Sequence, residues 1–557
     1  MLVRDTSQNK ERNEIGRLIN FRPVFTFALF LIFGILVSYT RIVEEGNSAW
    51  LVVVVFGLAI LSFVKAKRKF RCAVYIAVFI FAFFIWNVSF VFTVDNYRSQ
   101  PKLNGVYTVV GTVVDKSVGD YGGEISLTDL TVDGVSQVGK MSVSLTENDF
   151  SAVEYCDRVT MRLTVSASNL LEGAYGFRAE AIADERLYYG RNVEWYNVDG
   201  VDFRLGVYIR GRVQETLRSS LSDESAALVS AVLLGDTSLM EDGLMENIRY
   251  GGIAHIFAVS GLHIGVVFAA CVLLFRRERI PAPVRFALTV AVLLFYGAVC
   301  GYSASVVRAT VTCLVFYLCT LVGLKSDSLE NLSLAAVIVL MLYPTLLFGV
   351  GAQLSFCACL GILLLAPPMR KGANKLFDVL NDGLRYKVLR KPRPAPPDMF
   401  RANTLPPTLA RQAVGKVISF LSVSFSAQIA TAPILYLSFG YLSALSLLLN
   451  CIFVPIVAFC FAPLLALTAV AVFLPQAVGA VVLYPVGVVA SSMLLPFYLI
   501  RFSGTVIHSP ALGAPALVAY YAAVVFASDK FNLPKFQRRL TVIGFFIAFL
   551  LCLSVAS

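Results

Sequence analysis

The stretch Gly251-Gly252-Ile253-Ala254-His255-Ile256-Phe257-Ala258-Val259-Ser260-Gly261-Leu262-His263-Ile264-Gly265 decides how this chain is interpreted. It places two of only 3 histidines inside an otherwise apolar segment. Ionisable side chains are costly inside a bilayer, and they usually face a cavity or a polar partner. If the segment is one helix, Ser260 and His263 share a face, with His255 about 80° away from His263 around the axis. This segment is therefore the first candidate for function.

The composition of the chain indicates a polytopic α-helical membrane protein. Of its 557 residues, 57% are hydrophobic and 15% are charged, and the mean hydropathy is +0.73. A spanning helix needs roughly 20 mostly apolar residues. On that criterion we predict about 13 spans, near residues 24–41, 49–64, 72–94, 251–275, 284–300, 304–323, 330–348, 350–367, 418–438, 443–473, 477–500, 508–527 and 539–556.

Two prolines qualify one of these predicted spans. The segment 443–473 carries Pro455 and Pro463, and each proline removes a backbone hydrogen bond. We therefore expect a broken helix or two short helices there.

The distribution of lysine and arginine predicts the orientation. Basic clusters follow the second and fourth predicted spans and precede the last one, and the positive-inside rule places them in the cytoplasm. The N-terminus (1–22) and a basic loop (368–416) are then cytoplasmic. Three N-terminal spans fill residues 23–97. Residues 98–200 and the C-terminus lie outside, and residues 223–557 form the main membrane domain.

The outside segment has the pattern of a small β domain. Five strand-like runs lie near residues 105–115, 123–132, 137–146, 156–166 and 176–189. Five short strands fit several folds, among them a small barrel of the OB type. Residues 201–222 that follow predict an interfacial amphipathic helix, whose arginines are expected to meet lipid headgroups.

The charge of this domain argues against a broad nucleic-acid surface. Between residues 101 and 200, eight basic residues stand against fifteen acidic ones. Any contact with DNA must therefore be local. The candidate residues are Tyr107, Tyr121, Arg158, Arg162 and Arg178. The alternative is a domain that guides, gates or docks a partner.

Three phrases of the sequence occur in a suggestive order. They are Ala226-Ala227-Leu228-Val229-Ser230-Ala231-Val232-Leu233-Leu234-Gly235-Asp236, the 251–265 stretch, and Gly301-Tyr302-Ser303-Ala304-Ser305-Val306-Val307-Arg308-Ala309. Gln353-Leu354-Ser355-Phe356 and Gln428-Ile429-Ala430-Thr431-Ala432-Pro433 follow. Together they closely resemble the core of the ComEC family of bacterial competence channels. The resemblance extends over most of the chain from about residue 23.

This resemblance implies a function and partners. It implies a channel in the bacterial cytoplasmic membrane that passes single-stranded DNA inward, with an OB-like domain outside. It also implies a cytoplasmic helicase-like ATPase, an outside DNA receptor and a separate nuclease, since the chain resembles a short form without the C-terminal metallo-β-lactamase-like domain. Transport of another anionic solute or polymer is the alternative.

The predicted DNA path or gate consists of polar and small residues within apolar spans: His255, Ser260, Gly261, His263, Gly265, Arg308, Gln353 and Ser355. Arg308 is expected to meet phosphate, or else a carboxylate such as Asp236, Glu241 or Asp242. Alternatively, Gly261 and Gly265 form a GxxxG that packs a second helix, and His263 bonds a carbonyl.

Enzymatic activity is not expected from the sequence. Ser260 and His263 suggest an intramembrane hydrolase as a third hypothesis, but a pair three residues apart on one helix makes a poor nucleophile and base. The three histidines match no metal-binding spacing. We therefore predict no catalytic, metal or cofactor residues.

Overall fold

The computed structural model describes residues 103–119, 122–167, 186–275, 280–323, 327–387, 409–500, 502–507, 514–528 and 540–547, with a few residues between 24 and 35 and Gln537. The predicted spans at 49–64 and 72–94 lie outside the described residues, and so do most of the spans at 24–41 and 539–556. Two compact units are present. Residues 22–353 and 454–504 form the first, and residues 1–21, 354–453 and 505–557 form the second.

The first unit contains a mixed six-stranded sheet. Its strands are β1 (Asn104–Gly119), β2 (Gly122–Val132), β3 (Val135–Ser136), β4 (Lys140–Leu145), β5 (Asp157–Ala167) and β6 (Arg186–Val201). β1 pairs with both β2 and β5, β5 pairs with β6, β6 runs parallel to β4, and β4 pairs with β2. The pairings therefore run in a cycle through five strands. A short helix, α1 (Glu147–Ala152), lies between β4 and β5.

Alternating side chains explain this sheet. Along β5, Val159, Met161, Leu163 and Val165 are buried while the residues between them face outward, which is the period of a strand with one buried face. Asp133 and Gly134 join β2 to β3 with φ of 47° and 83°, and such left-handed pairs match the twist of a hairpin.

Helices follow the sheet in the same unit. The first four are α2 (Leu205–Ser220), α3 (Asp223–Leu234), α4 (Asp242–Tyr250) and α5 (Gly261–Leu274). The next are α6 (Ala282–Val299), α7 (Ala304–Val322) and α8 (Ser328–Leu342). α3 is almost wholly buried, from Ser225 to Leu234.

The remaining helices complete the membrane region. They are α9 (Val350–Lys387), α10 (Leu409–Phe439), α11 (Ser446–Ala471), α12 (Gln476–Leu499) and α13 (Ala514–Ala527), and a two-residue pairing joins β7 (Leu442–Ser443) to β8 (Val506–Ile507). In the described part of the chain, 7 helical segments are long and apolar enough to cross a membrane. Ser328–Leu342 and Ala516–Ala527 are shorter apolar helices. A helical membrane protein with a sheet in its N-terminal region is thus confirmed, whereas the predicted number of spans stays a prediction.

Four local predictions differ from the structure. The fifth strand is predicted at 176–189, whereas β6 runs from Arg186 to Val201, and residues 168–185 lie outside the described part. Residues 251–275 do not form one helix, because Ala254–Ile256 is a 3₁₀ turn and the α-helix begins only at Gly261. α11 runs unbroken through Pro455 and Pro463. The helix that begins at Val350 continues to Lys387, so the first part of the predicted loop 368–416 is helical, and residues 388–408 lie outside the described part.

A proline in α10 of the second unit is compensated by a tyrosine. Pro433 lies within α10, and because proline has no N–H, the carbonyl of Ile429 one turn earlier has no helical donor. The Tyr520 hydroxyl of α13 donates to that carbonyl at 2.6 Å, and the Tyr521 hydroxyl donates to the Ala430 carbonyl at 3.1 Å. This pattern gives the Ile429–Pro433 motif a structural role.

Candidate functional site

The start of α5 is organised by Ser260 and His263. Ser260 has extended backbone dihedrals and is the N-cap residue. Its Oγ accepts a hydrogen bond from the Leu262 N–H at 3.3 Å, and its own N–H donates to Nδ1 of His263 at 3.0 Å. This is a capping box in which histidine takes the place usually held by Glu or Gln. The helix therefore begins within the apolar segment Ala254–Leu274.

The hydrogen bond of the helix cap fixes the tautomer of the His263 ring. Because Nδ1 accepts a hydrogen bond, it carries no proton, and the neutral ring has its proton on Nε2. The side chain is 1% exposed and stacks on Phe461 of α11 with centroids 4.5 Å apart. Nε2 has no hydrogen-bond partner among the described residues. His263 thus presents an unused buried donor beside the start of the helix.

Arg308 lies on another side of the same helix start. It is 6% exposed, and a Cβ on Gly261 would stand 2.8 Å from its Nη2 and 3.7 Å from the Ala309 Cβ. A side chain at position 261 would displace the guanidinium from this place. The positive end of the helix dipole and a neighbouring guanidinium both favour an anion. The arrangement is suited to binding a phosphate or carboxylate group.

The other residues predicted for the path are placed differently. His255 lies on the 3₁₀ turn with an exposed side chain. Among the described residues, no atom lies within 4 Å of a Cβ built on Gly265, and within that part of the chain Gly261 alone of the GxxxG pair makes a close approach. The Gln353 side chain donates to the Leu347 carbonyl at 3.0 Å, within the first unit. Ser355 belongs to the second unit.

A buried ion-pair cluster lies beside this region, and sequence reasoning missed it. Arg210 of α2 pairs with Asp115 of β1 and with Asp236. Gln214 donates to Asp236 and accepts from the Tyr155 hydroxyl. Burial opposes the charge on Arg210, but the two carboxylates outweigh it and raise its pKa. Burial, together with Asp236 and Asp115, raises the pKa of Tyr155.

The cluster corrects two expectations. Three of the four arginines of 201–222 pair within the protein: Arg210 with Asp115 and Asp236, Arg204 with Asp129 and Asp202, and Arg212 with Glu215. Asp236, expected as a partner of Arg308, binds Arg210. The helical pattern of 201–222 could not separate a lipid-facing arginine from one turned toward an aspartate far along the chain.

The outer face of the sheet carries some of the predicted DNA contacts. Arg158 and Arg162 are exposed on β5, and Arg162 pairs with Glu194 at 3.0 Å. The structure separates these arginines from Tyr107, which stands opposite the buried Leu163 and packs against the core. Tyr121 and Arg178 lie outside the described residues. In register with β5, the structure adds two exposed aromatic residues of β6, Trp195 opposite Arg162 and Tyr189 opposite Ser166. The alternation of side chains along β6 was the sequence signal that could have identified Trp195 and Tyr189.

Comparison with known proteins matches the helical region. The profile of the family described as Competence protein covers residues 232–528, more than half of the chain and including α5 and α7. The chain belongs to this family. The predicted ComEC-type resemblance is thereby confirmed.

Two curated relatives match this competence-family chain. It is 24% identical over 284 residues to ComE operon protein 3 of Bacillus subtilis (strain 168), covering 49% of the chain and 31% of the relative. It is 29% identical over 160 residues to Competence protein ComA of Neisseria gonorrhoeae, covering 26% of the chain and 23% of that relative. The matches thus span about a third or less of each relative's length. No solved structure matches.

Proposed function

We propose that this protein passes a single strand of DNA across the bacterial cytoplasmic membrane during natural transformation. Membership of the competence family supports a role in DNA uptake. The apolar helices long enough to span a bilayer support a passage through a membrane. The proposal for the cargo itself rests on the start of α5.

The buried guanidinium of Arg308 beside Gly261 carries the proposal. The span Ala254–Leu274 is interrupted before α5, and irregular backbone at membrane depth is tolerated where it is buried in protein or lines a water-filled cavity. Half-helix N-termini in membrane transporters point at anionic groups of the substrate. DNA offers one phosphate per nucleotide, so a permanent cation at such a helix start would hold the strand transiently as it moves.

The test compares Arg308→Gln with Arg212→Gln in cells that take up labelled DNA. Arg212 is an exposed arginine that pairs with Glu215 on its own helix, so it controls for the loss of one positive charge. We expect Arg308→Gln to lower uptake at least a hundredfold while the protein still accumulates in the membrane, with Arg212→Gln close to wild type. Normal uptake by Arg308→Gln removes this residue from the mechanism.

The geometry of Ser260 and His263 supports a transport function over a hydrolase. A general base must accept the nucleophile's proton within hydrogen-bond reach. Here Nδ1 accepts from the Ser260 backbone N–H, and the Ser260 hydroxyl accepts from Leu262. Both groups already serve the helix cap. We infer that the chain is not an enzyme, and the absence of DNA cleavage by the purified protein with zinc, manganese or magnesium would test this.

For the sheet, we propose an OB-type barrel that contacts DNA locally. The cycle of five paired strands supports the barrel. Exposed Trp195 and Tyr189 beside Arg158 and Arg162 give the combination of stacking rings and cations that binds single strands. Weaker binding of a labelled oligonucleotide by Trp195→Ala would support this role, and unchanged binding would favour a domain that docks a partner.

The orientation and the partners follow from the same proposal. The sheet and the C-terminus face outward and the 368–416 region faces the cytoplasm. A cytoplasmic helicase-like ATPase pulls the strand, an outside receptor delivers the DNA, and a nuclease removes the second strand. Co-purification of an ATPase with the wild-type protein, lost when the basic residues between 368 and 416 are replaced, would test the docking site.

A further inference from the structure

Arg210 lies where the sheet meets two of the sequence motifs, 226–236 and 301–309. Its Nη2 lies 3.4 Å from Asp115 Oδ1 and 3.2 Å from Asp236 Oδ2, and its side chain is 13% exposed. A Cβ on Gly301 would lie 3.3 Å from its Nη1. The guanidinium thus pairs with β1 and with the turn after α3, and it lies beside the turn between α6 and α7. None of the motifs that identify the family contains Arg210.

The contact with Asp236 leads to the start of α5. Asp236 follows Gly235, which ends α3 with φ +74°. A Cβ on Gly235 would lie 3.0 Å from Val259 Cγ2 and 3.1 Å from the Val259 backbone nitrogen. The next residue is Ser260, which caps α5 together with His263. A displacement of Asp236 would therefore reach the helix start through two residues in direct contact.

The turn at Gly301 leads to Arg308. Gly301 has φ +72° and lies in the turn that precedes α7, whose second turn carries Arg308. The end of α6 is also tied to α3, because the Tyr296 hydroxyl donates to the Leu233 carbonyl at 2.7 Å. The two elements that flank the candidate site are thus both adjacent to Arg210.

Charge makes this arrangement sensitive to Arg210. Asp236 has a side chain only 4% exposed, and a carboxylate in such a poorly hydrated place needs a cation beside it. Guanidinium suits the role because its planar fork offers several donors in fixed directions. Lysine offers one compact charge and cannot reproduce both ion pairs and the approach to Gly301.

We propose that Arg210 is a positioning residue that couples the sheet to the start of α5 and to Arg308. The proposal takes that helix start as the functional site and therefore rests on the proposed function. It adds a mechanical step to the proposed function. Movement of β1 changes the position of Asp115 and so shifts Arg210, and the turns at Gly235 and Gly301 move with Arg210. DNA arriving at the sheet would thereby alter the site in the membrane.

Amide hydrogen exchange on the purified 557-residue chain in lipid nanodiscs tests this. In Arg210→Gln we expect at least tenfold faster exchange in peptides covering residues 253–263 and 299–306. Exchange in β5 and in α12 should stay within twofold of wild type. The matched control is Arg212→Gln, an exposed arginine on the same helix, which should change none of these peptides.

Two further variants sharpen the result. Asp236→Asn should loosen 253–263 more than 299–306, because the Gly301 turn stays beside Arg210. Arg210→Lys should restore part of the protection, and it takes the place of Arg210→Gln if that variant fails to accumulate. Unchanged exchange at both segments overturns the proposal, as does acceleration spread equally over β5 and α12. These outcomes do not depend on whether DNA is the cargo, which Arg308→Gln tests separately.

Discussion

His263 combines a structural bond with an unused donor. Its Nδ1 completes the cap of α5, while Nε2 is buried without a partner among the described residues. Buried donors without acceptors are uncommon and call for an explanation. We propose that Nδ1 stabilises the fold through the helix cap and that Nε2 serves DNA uptake. Substitution can separate the two roles, because a glutamine at this position can still accept a hydrogen bond from the N-cap N–H.

We expect His263→Ala to lose the cap, at a cost of about 1 kcal/mol in stability, and to lose uptake. His263→Gln should keep the cap, accumulate like wild type and still lower uptake at least tenfold, since the buried donor is changed. Thermal unfolding in detergent and labelled-DNA uptake measure the two effects. Wild-type uptake by His263→Gln would show that the ring serves only the cap.

At the scale of single elements, bonds from neighbouring helices compensate for irregular helix backbone. α10 passes through Pro433 because Tyr520 of α13 supplies the donor that the Ile429 carbonyl lacks. An unpaired carbonyl in an apolar setting would otherwise cost free energy. This pairing explains why a motif that looks like a helix break remains inside one continuous helix.

We therefore predict that Tyr520→Phe destabilises the protein by about 1–2 kcal/mol, the range of hydrogen bonds between membrane helices. Tyr521→Phe is the matched control and should cost less, because residue 434 has an N–H that can serve the Ala430 carbonyl. Replacing Pro433 with Ala restores the helical donor, so Tyr520→Phe should be nearly neutral in that background. Equal costs with and without Pro433, measured by thermal unfolding, would refute the compensation.

For the whole molecule, the distribution of basic residues predicts the orientation of the chain. The sheet carries more acidic than basic residues, and the basic excess is concentrated in segments that the positive-inside rule assigns to the cytoplasm. The sheet would then meet incoming DNA first. In our proposal, Arg210 couples the contact of DNA with the sheet to the start of α5 and to Arg308.

Labelling of engineered cysteines tests this orientation. In a background without native cysteines, Asn148→Cys on the exposed helix α1 should react with an impermeant maleimide added to intact cells. Lys375→Cys, exposed on α9, should react only after the cells are opened. The reverse pattern at both positions would invert the topology.

The sequence by itself determined the membrane class, most helical segments, four of the five predicted strand runs and the family. These properties depend on local hydropathy, residue alternation, turn residues and short motifs. The tertiary structure decided the break before Gly261, the continuity of α11 and α10 through their prolines, and the partners of Arg210. Two of these depend on groups distant in the chain: Asp115 and Asp236 pair with Arg210, and Tyr520 donates to the Ile429 carbonyl before Pro433. Sequence periodicity predicts which face of an element a residue occupies, but only tertiary packing determines which residues it contacts.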